Sequence, residues 1–194
     1  IYILPYAMPA FISLLVFRLM FNGIGPINNM LVNFGIERIP FFTDPILAKI
    51  TVLAINTWVG APYFMVLLSG SLTNISSTLY EAAEIDGATK MQQFKHITLP
   101  MLLFQTAPVL ILSFAYNFNN FGAIYLLTDG NPVNSNLKFA GETDILVTWL
   151  YKLTVNQQQF GMAAVISIVL FAFIATVSLY NFRKSKSFTE EDMI

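Results

Sequence analysis

Four long apolar runs alternate with polar, turn-rich stretches along the chain, covering about residues 3–20, 47–72, 100–127 and 160–182. A helix needs about 20 largely apolar residues to cross a hydrocarbon core ~30 Å thick. Each run therefore predicts one membrane-spanning helix. Pro5 and Pro9 fall early in the first run, where the start of a helix tolerates proline. Arg18 near its end is placed to snorkel towards the headgroups. Residues 22–46 are rich in Gly, Asn and Pro and predict a loop with a short interfacial helix over 27–34. Residues 128–159 carry TDGNPVNSN and VNQQQ, too polar for lipid; Asp129-Gly130-Asn131-Pro132 reads as a turn despite a faint likeness to a calcium loop.

The remaining polar stretch, 80–100, is different in kind. YEAAEIDGATKMQQFKHITLP carries Glu81, Glu84, Asp86, Lys90, Lys95 and His96 between two stretches of about thirty residues without a formal charge. Such an island predicts a water-exposed connection between two spans. Residues 81–85 are good helix formers, Gly87 supplies a bend, 89–97 is helical again, and Pro100 restarts the chain.

Composition sharpens the class. Apolar residues make up 56%, charged residues 11%, and mean hydropathy is +0.64, whereas soluble domains carry about 25% charged residues. The fold class is thus an all-α polytopic membrane protein. Absence of cysteine excludes disulfides and thiol chemistry. A net charge of −1 without a basic patch points away from nucleic acid. No G-x-x-x-x-G-K-[ST] loop is present, and His96, the single histidine, has no acid, thiol or metal-ligand constellation around it. No catalytic or metal-binding residues are expected, so the chain reads as non-enzymatic. It opens on Ile1 without a signal-peptide pattern, as expected for a C-terminal portion of a longer protein.

Polar residues inside the runs form two stripes. Ser113, Tyr116, Asn117 and Asn120 in the third run recur at i, i+3, i+4 and i+7, and Asn56, Val59, Gly60 and Tyr63 in the second repeat those offsets beside Thr57 and Trp58. Amides that donate and accept together, next to aromatic faces, suit a neutral, hydroxyl-rich ligand. No acid or base lies on either stripe, which argues against anionic substrates and amines alike. The same residue types also serve as glue between close-packed membrane helices, so both readings stand.

The island carries a further pattern: Glu81-Ala82-Ala83, three residues, Gly87, nine residues, then Ile97-x-Leu99-Pro100. This resembles the EAA loop of binding-protein-dependent ABC importers. NTWVGAPYFM, SFAYNFNNF, GETDILVTWLYK and FGMAAVISIVLF extend the resemblance over essentially the whole chain, to the maltose/maltodextrin permeases of the MalFG family, which have a MetI-like fold. The resemblance implies a permease domain over 1–194, N-terminally incomplete. Its loop 80–100 would dock on an ATPase through Glu81, Ala82, Ala83, Gly87, Ile97, Leu99 and Pro100. It also implies sugar contacts at Asn56, Val59, Gly60, Tyr63, Ser113, Tyr116, Asn117 and Asn120, with Thr57 nearby. Tyr116 stands where the family pattern has phenylalanine and Val59 where it has leucine, which leaves the preferred sugar length open.

Implied partners are a second permease subunit, two ATP-binding subunits that hold ATP and Mg, an extracytoplasmic sugar-binding protein, and membrane lipid. The implied location is a bacterial cytoplasmic membrane, with 80–100 and the C-terminus inside and the loops at 22–46 and 128–159 outside. Arg183, Lys184 and Lys186 after the last run favour that orientation, although the overall positive-inside bias is weak. Two other classes fit the sequence less well. An ion-coupled secondary transporter usually needs an intramembrane carboxylate or basic partner, and the runs have none in their middle. A membrane scaffold would need neither the loop pattern nor the stripes.

Overall fold

The computed structural model describes residues 7–184. Among them the helices are α1 (Ala10–Met20), α2 (Pro26–Asn33), α3 (Pro45–Thr73), α4 (Ser77–Ile85), α5 (Lys90–Gln93), α6 (Leu99–Phe118), α7 (Phe121–Leu127), α8 (Leu146–Tyr151) and α9 (Phe160–Lys184). No strand forms among these residues; Val133 and Gly141 make one isolated antiparallel bridge.

Among the described residues, three helices are long and apolar enough to cross a membrane: Pro45–Thr73, Lys90–Phe118 and Phe160–Arg183, with 29, 29 and 24 residues. The helix of the first apolar run is shorter, 11 residues. The opening residues expected for that run, with Pro5, lie outside the described residues, as does Lys186 of the basic cluster. In a membrane every backbone and hydroxyl group needs an internal partner. Thr106 accordingly donates to the Leu102 carbonyl (2.7 Å) and Ser167 to that of Ala163 (2.9 Å).

The chain divides into two compact units. The first comprises, among the described residues, 7–62 and 117–173. Its core is Leu14, Val52, Ile55, Ala123, Ile124 and Leu127, with Phe17, Phe21, Val59 and Ile145 packed around it, so α1 and α7 lie against the first half of α3. Arg18, expected to snorkel, is exposed. Its guanidinium donates to the Leu126 carbonyl at the end of α7 (3.2 Å), where the helix's orphan acceptors and dipole favour a cation. Asp44 caps α3, its carboxylate accepting from the Ile46 and Leu47 amides (3.0 and 2.8 Å), with Pro45 at the position whose N–H a helix does not need. On α2, buried Asn28 accepts from the Ile39 amide (2.8 Å) and donates to the Ile39 and Asn22 carbonyls.

The second unit comprises 63–116 and, from 174 on, the end of α9. It contains α4, α5 and most of α6. The sequence predicts that Pro100 restarts the chain, but the helix runs without a break from Lys90 to Phe118. A π-helical turn over Phe94–Thr98 precedes the proline, and the Leu99 amide reaches back five residues to the Phe94 carbonyl. Proline lacks an N–H and crowds the carbonyl four residues back; widening the helix just before it relieves that conflict.

Candidate functional site

The third apolar run is not one helix. α6 ends at Phe118, the chain bends at Asn119 and Asn120, and α7 starts at Phe121. Asn120 therefore leaves the stripe that Ser113, Tyr116 and Asn117 occupy on α6. It serves as the N-cap of α7, its Oδ1 accepting from the Ala123 amide (3.4 Å). Its Nδ2 meanwhile donates to Asn56 Oδ1 on α3 (3.0 Å), a contact across 64 residues of sequence. Two of the predicted site amides are thus brought together at a helix break, inside the first unit.

The remaining predicted positions divide as follows. Val59 packs on the core cluster and is partly buried. Gly60 has open space where a side chain would stand. Thr57, with Trp58, Ile50, Leu53 and Ala61, lines a separate shallow apolar depression of about 490 Å³. Pro62, inside α3, cannot donate to the Trp58 carbonyl four residues back. Tyr63, Ser113 and Tyr116 belong to the second unit. There the Tyr63 ring meets Phe64 edge-on at 5.3 Å, and Tyr116 is 69% exposed.

Asn117 borders a cavity of about 540 Å³ within the first unit, whose wall includes Phe118, Leu137, Asp144, Ile145 and Trp149. The loop behind it is a dense polar knot. The Thr128 and Thr143 hydroxyls bond at 2.7 Å, Thr143 donates to the Asn131 carbonyl (2.7 Å), and the Glu142 amide donates to the Pro132 carbonyl (2.7 Å). Asp144, its side chain 2% exposed, pairs with Lys152 (2.8 Å, 18% exposed) and accepts from the Gly141 amide (2.6 Å). Gly130 sits at φ +78°, and a Cβ there would lie 2.1 Å from Asp144 Oδ1; both conformation and space demand glycine. Phe121, Tyr125 and Tyr151 pack ring to ring at 4.9–5.4 Å and tie α7 to α8. Lys49 at the start of α3 pairs with Glu142, so that end of α3 and the 128–145 loop lie together. This knot was missed in the sequence. Its only local sign was a carboxylate and an ammonium eight residues apart within a polar segment.

The charged island folds as a helical corner in the second unit. Ser76 caps α4, accepting from the Thr78 amide (3.3 Å). At the other end the Ala88 amide donates to the Ala83 carbonyl (2.9 Å) and the Gly87 amide to that of Glu84 (3.1 Å), with Gly87 at φ +74°. This is the Schellman arrangement, in which a glycine stands four residues after the carbonyl that closes the helix. The spacing from Ala83 to Gly87 is therefore set by how the helix ends. Thr89 and Gln92 form a capping box on α5. Tyr80 and Thr98 hydroxyls bond at 2.9 Å and close the corner. Lys90 bonds Glu84, and that bond, followed by the charge attraction, holds the Glu84 carboxyl below its usual value. His96 donates from Nδ1 to the Gln92 carbonyl (3.0 Å).

α4 buries no residue within the chain. Glu81 and Ala82 are exposed, Ala83 is half-buried, and Ile97 is half-buried while Leu99 and Pro100 are exposed. Ile85 and Met91, 87% and 73% exposed, were not singled out in the sequence. Isolated apolar residues within a charged island were the available signal.

Residues 1–186 match the family described as the binding-protein-dependent transport system inner membrane component. The chain belongs to that family. Its helical architecture is the MetI-like permease fold, and the protein is a membrane protein. Among curated relatives, the chain is 42% identical to the galactooligosaccharides transport system permease protein GanP of Bacillus subtilis (strain 168), over 98% of this chain and 46% of the relative. It is 46% identical to the maltose/maltodextrin transport system permease protein MalF of Vibrio vulnificus (strain YJ016), over 95% of this chain and 36% of the relative. The chain thus spans less than half the length of the curated relatives it matches. Among solved structures, it is similar to a bacterial alginate ABC transporter crystallised in complex with an alginate pentasaccharide-bound periplasmic protein, at TM-score 0.77 and 26% identity, covering 96% of this chain and 63% of that one.

Proposed function

We propose that this chain is the permease subunit of an ABC importer that moves maltose or maltodextrin across a bacterial cytoplasmic membrane. The Asn56–Asn120 contact carries the reading: two uncharged amides meet at the break that follows a long apolar helix, where each can exchange its partner for a sugar hydroxyl. The sugar path would be lined by Asn56, Thr57, Val59, Gly60, Tyr63, Ser113, Tyr116, Asn117 and Asn120. Relatives named for neutral oligosaccharides support that substrate class.

The corner at 80–100 is the coupling element. Glu81 would pair with a basic residue of an ATP-binding subunit, Ala82 and Ala83 would allow close approach, and Gly87, Ile97, Leu99 and Pro100 would hold the corner in shape. Two such subunits bind ATP and Mg, so this chain carries no cofactor and no catalytic group. A second permease subunit completes the path. A sugar-binding protein delivers substrate to the side of the 22–46 and 128–159 loops; a sugar-bound periplasmic protein in complex with the similar alginate transporter supports a binding protein as partner. ATP-driven closure of the ATP-binding subunits rocks the membrane helices between inward- and outward-facing states. The corner and the C-terminus face the cytoplasm.

Uptake of labelled maltodextrin by vesicles containing the assembled transporter tests this. Uptake should require ATP, the ATP-binding subunits and the binding protein; uptake driven by an ion gradient alone would refute it. The galactooligosaccharide relative keeps a second neutral sugar in view, and uptake compared across glucosyl and galactosyl oligosaccharides separates the two.

A further inference from the structure

We propose that the cavity between the end of α6 and the start of α8 is a second sugar subsite, which takes an uncharged pyranose ring of a longer oligosaccharide against Trp149. This rests on the neutral-sugar reading above and extends it beyond the two stripes. The cavity's volume, about 540 Å³, lies within the ~300–1,000 Å³ usual for small-molecule sites. The Trp149 indole N–H is already committed to the Lys138 carbonyl (3.1 Å), so what the residue offers the cavity is apolar ring surface, and Phe118 and Ile145 add to it. Such surface fits the C–H face of a pyranose. Asn117 supplies an amide at the rim, three residues before the Asn120 that bonds Asn56. The cavity wall and the amide pair are thus joined by a three-residue step of the chain.

The wall is built in advance. Asp144 holds the Gly141 amide and the Lys152 ammonium, and the Thr148 hydroxyl bonds both the amide and the carbonyl of Ile145 at 3.0 Å, which fixes the start of α8. Asp144 is a positioning residue here, not a ligand. Because Lys152 balances its charge, the wall presents no net charge and favours a neutral sugar over a uronic acid.

The test is uptake kinetics in the full-length, assembled transporter with linear glucosyl oligosaccharides of two, three and more units. Trp149→Ala should raise KM about tenfold for three or more units, leave the disaccharide within about twofold, and leave kcat unchanged for all of them. Trp149→Phe should restore most of the loss. Ala140→Phe, which fills the cavity instead of emptying its wall, should give the same length-dependent rise, and it carries the test if Trp149→Ala does not assemble. A rise equal for all lengths, or none in either variant, overturns the subsite while leaving the neutral-sugar reading intact. A wild-type transporter that takes up no neutral oligosaccharide overturns both.

Discussion

Asn56 and Asn120 form one hydrogen bond that joins a long apolar helix to the cap of a short one. Amide bonds between membrane helices average about 0.6 kcal/mol in double-mutant cycles, because the unfolded chain in lipid also finds partners. An Asn56→Ala/Asn120→Ala cycle should give a coupling of that order in unfolding from detergent, with each single variant lowering sugar uptake more than it lowers stability. Lys152 presents the opposite case. Removing it by Lys152→Met strands the buried Asp144 carboxylate, which should destabilise the protein by about 3–5 kcal/mol. Thermal unfolding would show it, and Asp144→Asn in the same chain should recover much of the loss. Asn120 also shows why one stripe was misplaced. Period 3.6 assumes an unbroken helix, and the apolar run to Leu127 conceals the break; only the Asn119–Asn120 doublet marks it.

Among the elements, the corner formed by α4 and α5 was the most legible. Gly87 was placed at a bend on glycine chemistry alone, and the Schellman bonds from Gly87 and Ala88 supply the physical reason. Gly87→Ala forces an L-residue to φ +74° and should cost about 1–2 kcal/mol of local stability, read as faster amide exchange over 77–98 with the membrane spans unaffected. Glu81→Lys changes charge on an exposed helix face and should leave the fold intact. Its expected effect is ATP hydrolysis that no longer drives uptake, seen as a raised ratio of ATP consumed to sugar imported. Normal uptake by that variant would count against docking through this face. Pro100 was read as an end because proline usually is one; the π-helical turn before it lets the helix continue.

For the whole molecule, the dominant fact is how little of the apolar surface the chain covers itself. Among the described residues, only 22%, 17% and 11% of the apolar windows of the three long helices are buried, so most of that surface finds no cover within the chain. Topology is open to direct measurement because the chain has no cysteine. Ile85→Cys in the corner and Asn136→Cys in the 128–145 loop, both exposed, should react with impermeant maleimide from opposite sides of the membrane, Cys at 85 from the cytoplasmic side. Labelling of both from one side would remove the coupling role.

Membrane class, the apolar runs and the helix–glycine–helix corner followed from sequence alone, because each depends on residues close together in the chain: hydropathy over about 20 positions, or a carbonyl and an amide five residues apart. Tertiary structure decided which amides meet, where Arg18 sends its charge, that Asp144 is buried against Lys152, and that a cavity opens beside Trp149. Those outcomes depend on segments as far apart as residues 18 and 126, or 56 and 120. A polar side chain withdrawn from water takes whatever partner packing brings within 3 Å or so, and no local pattern records which one that is.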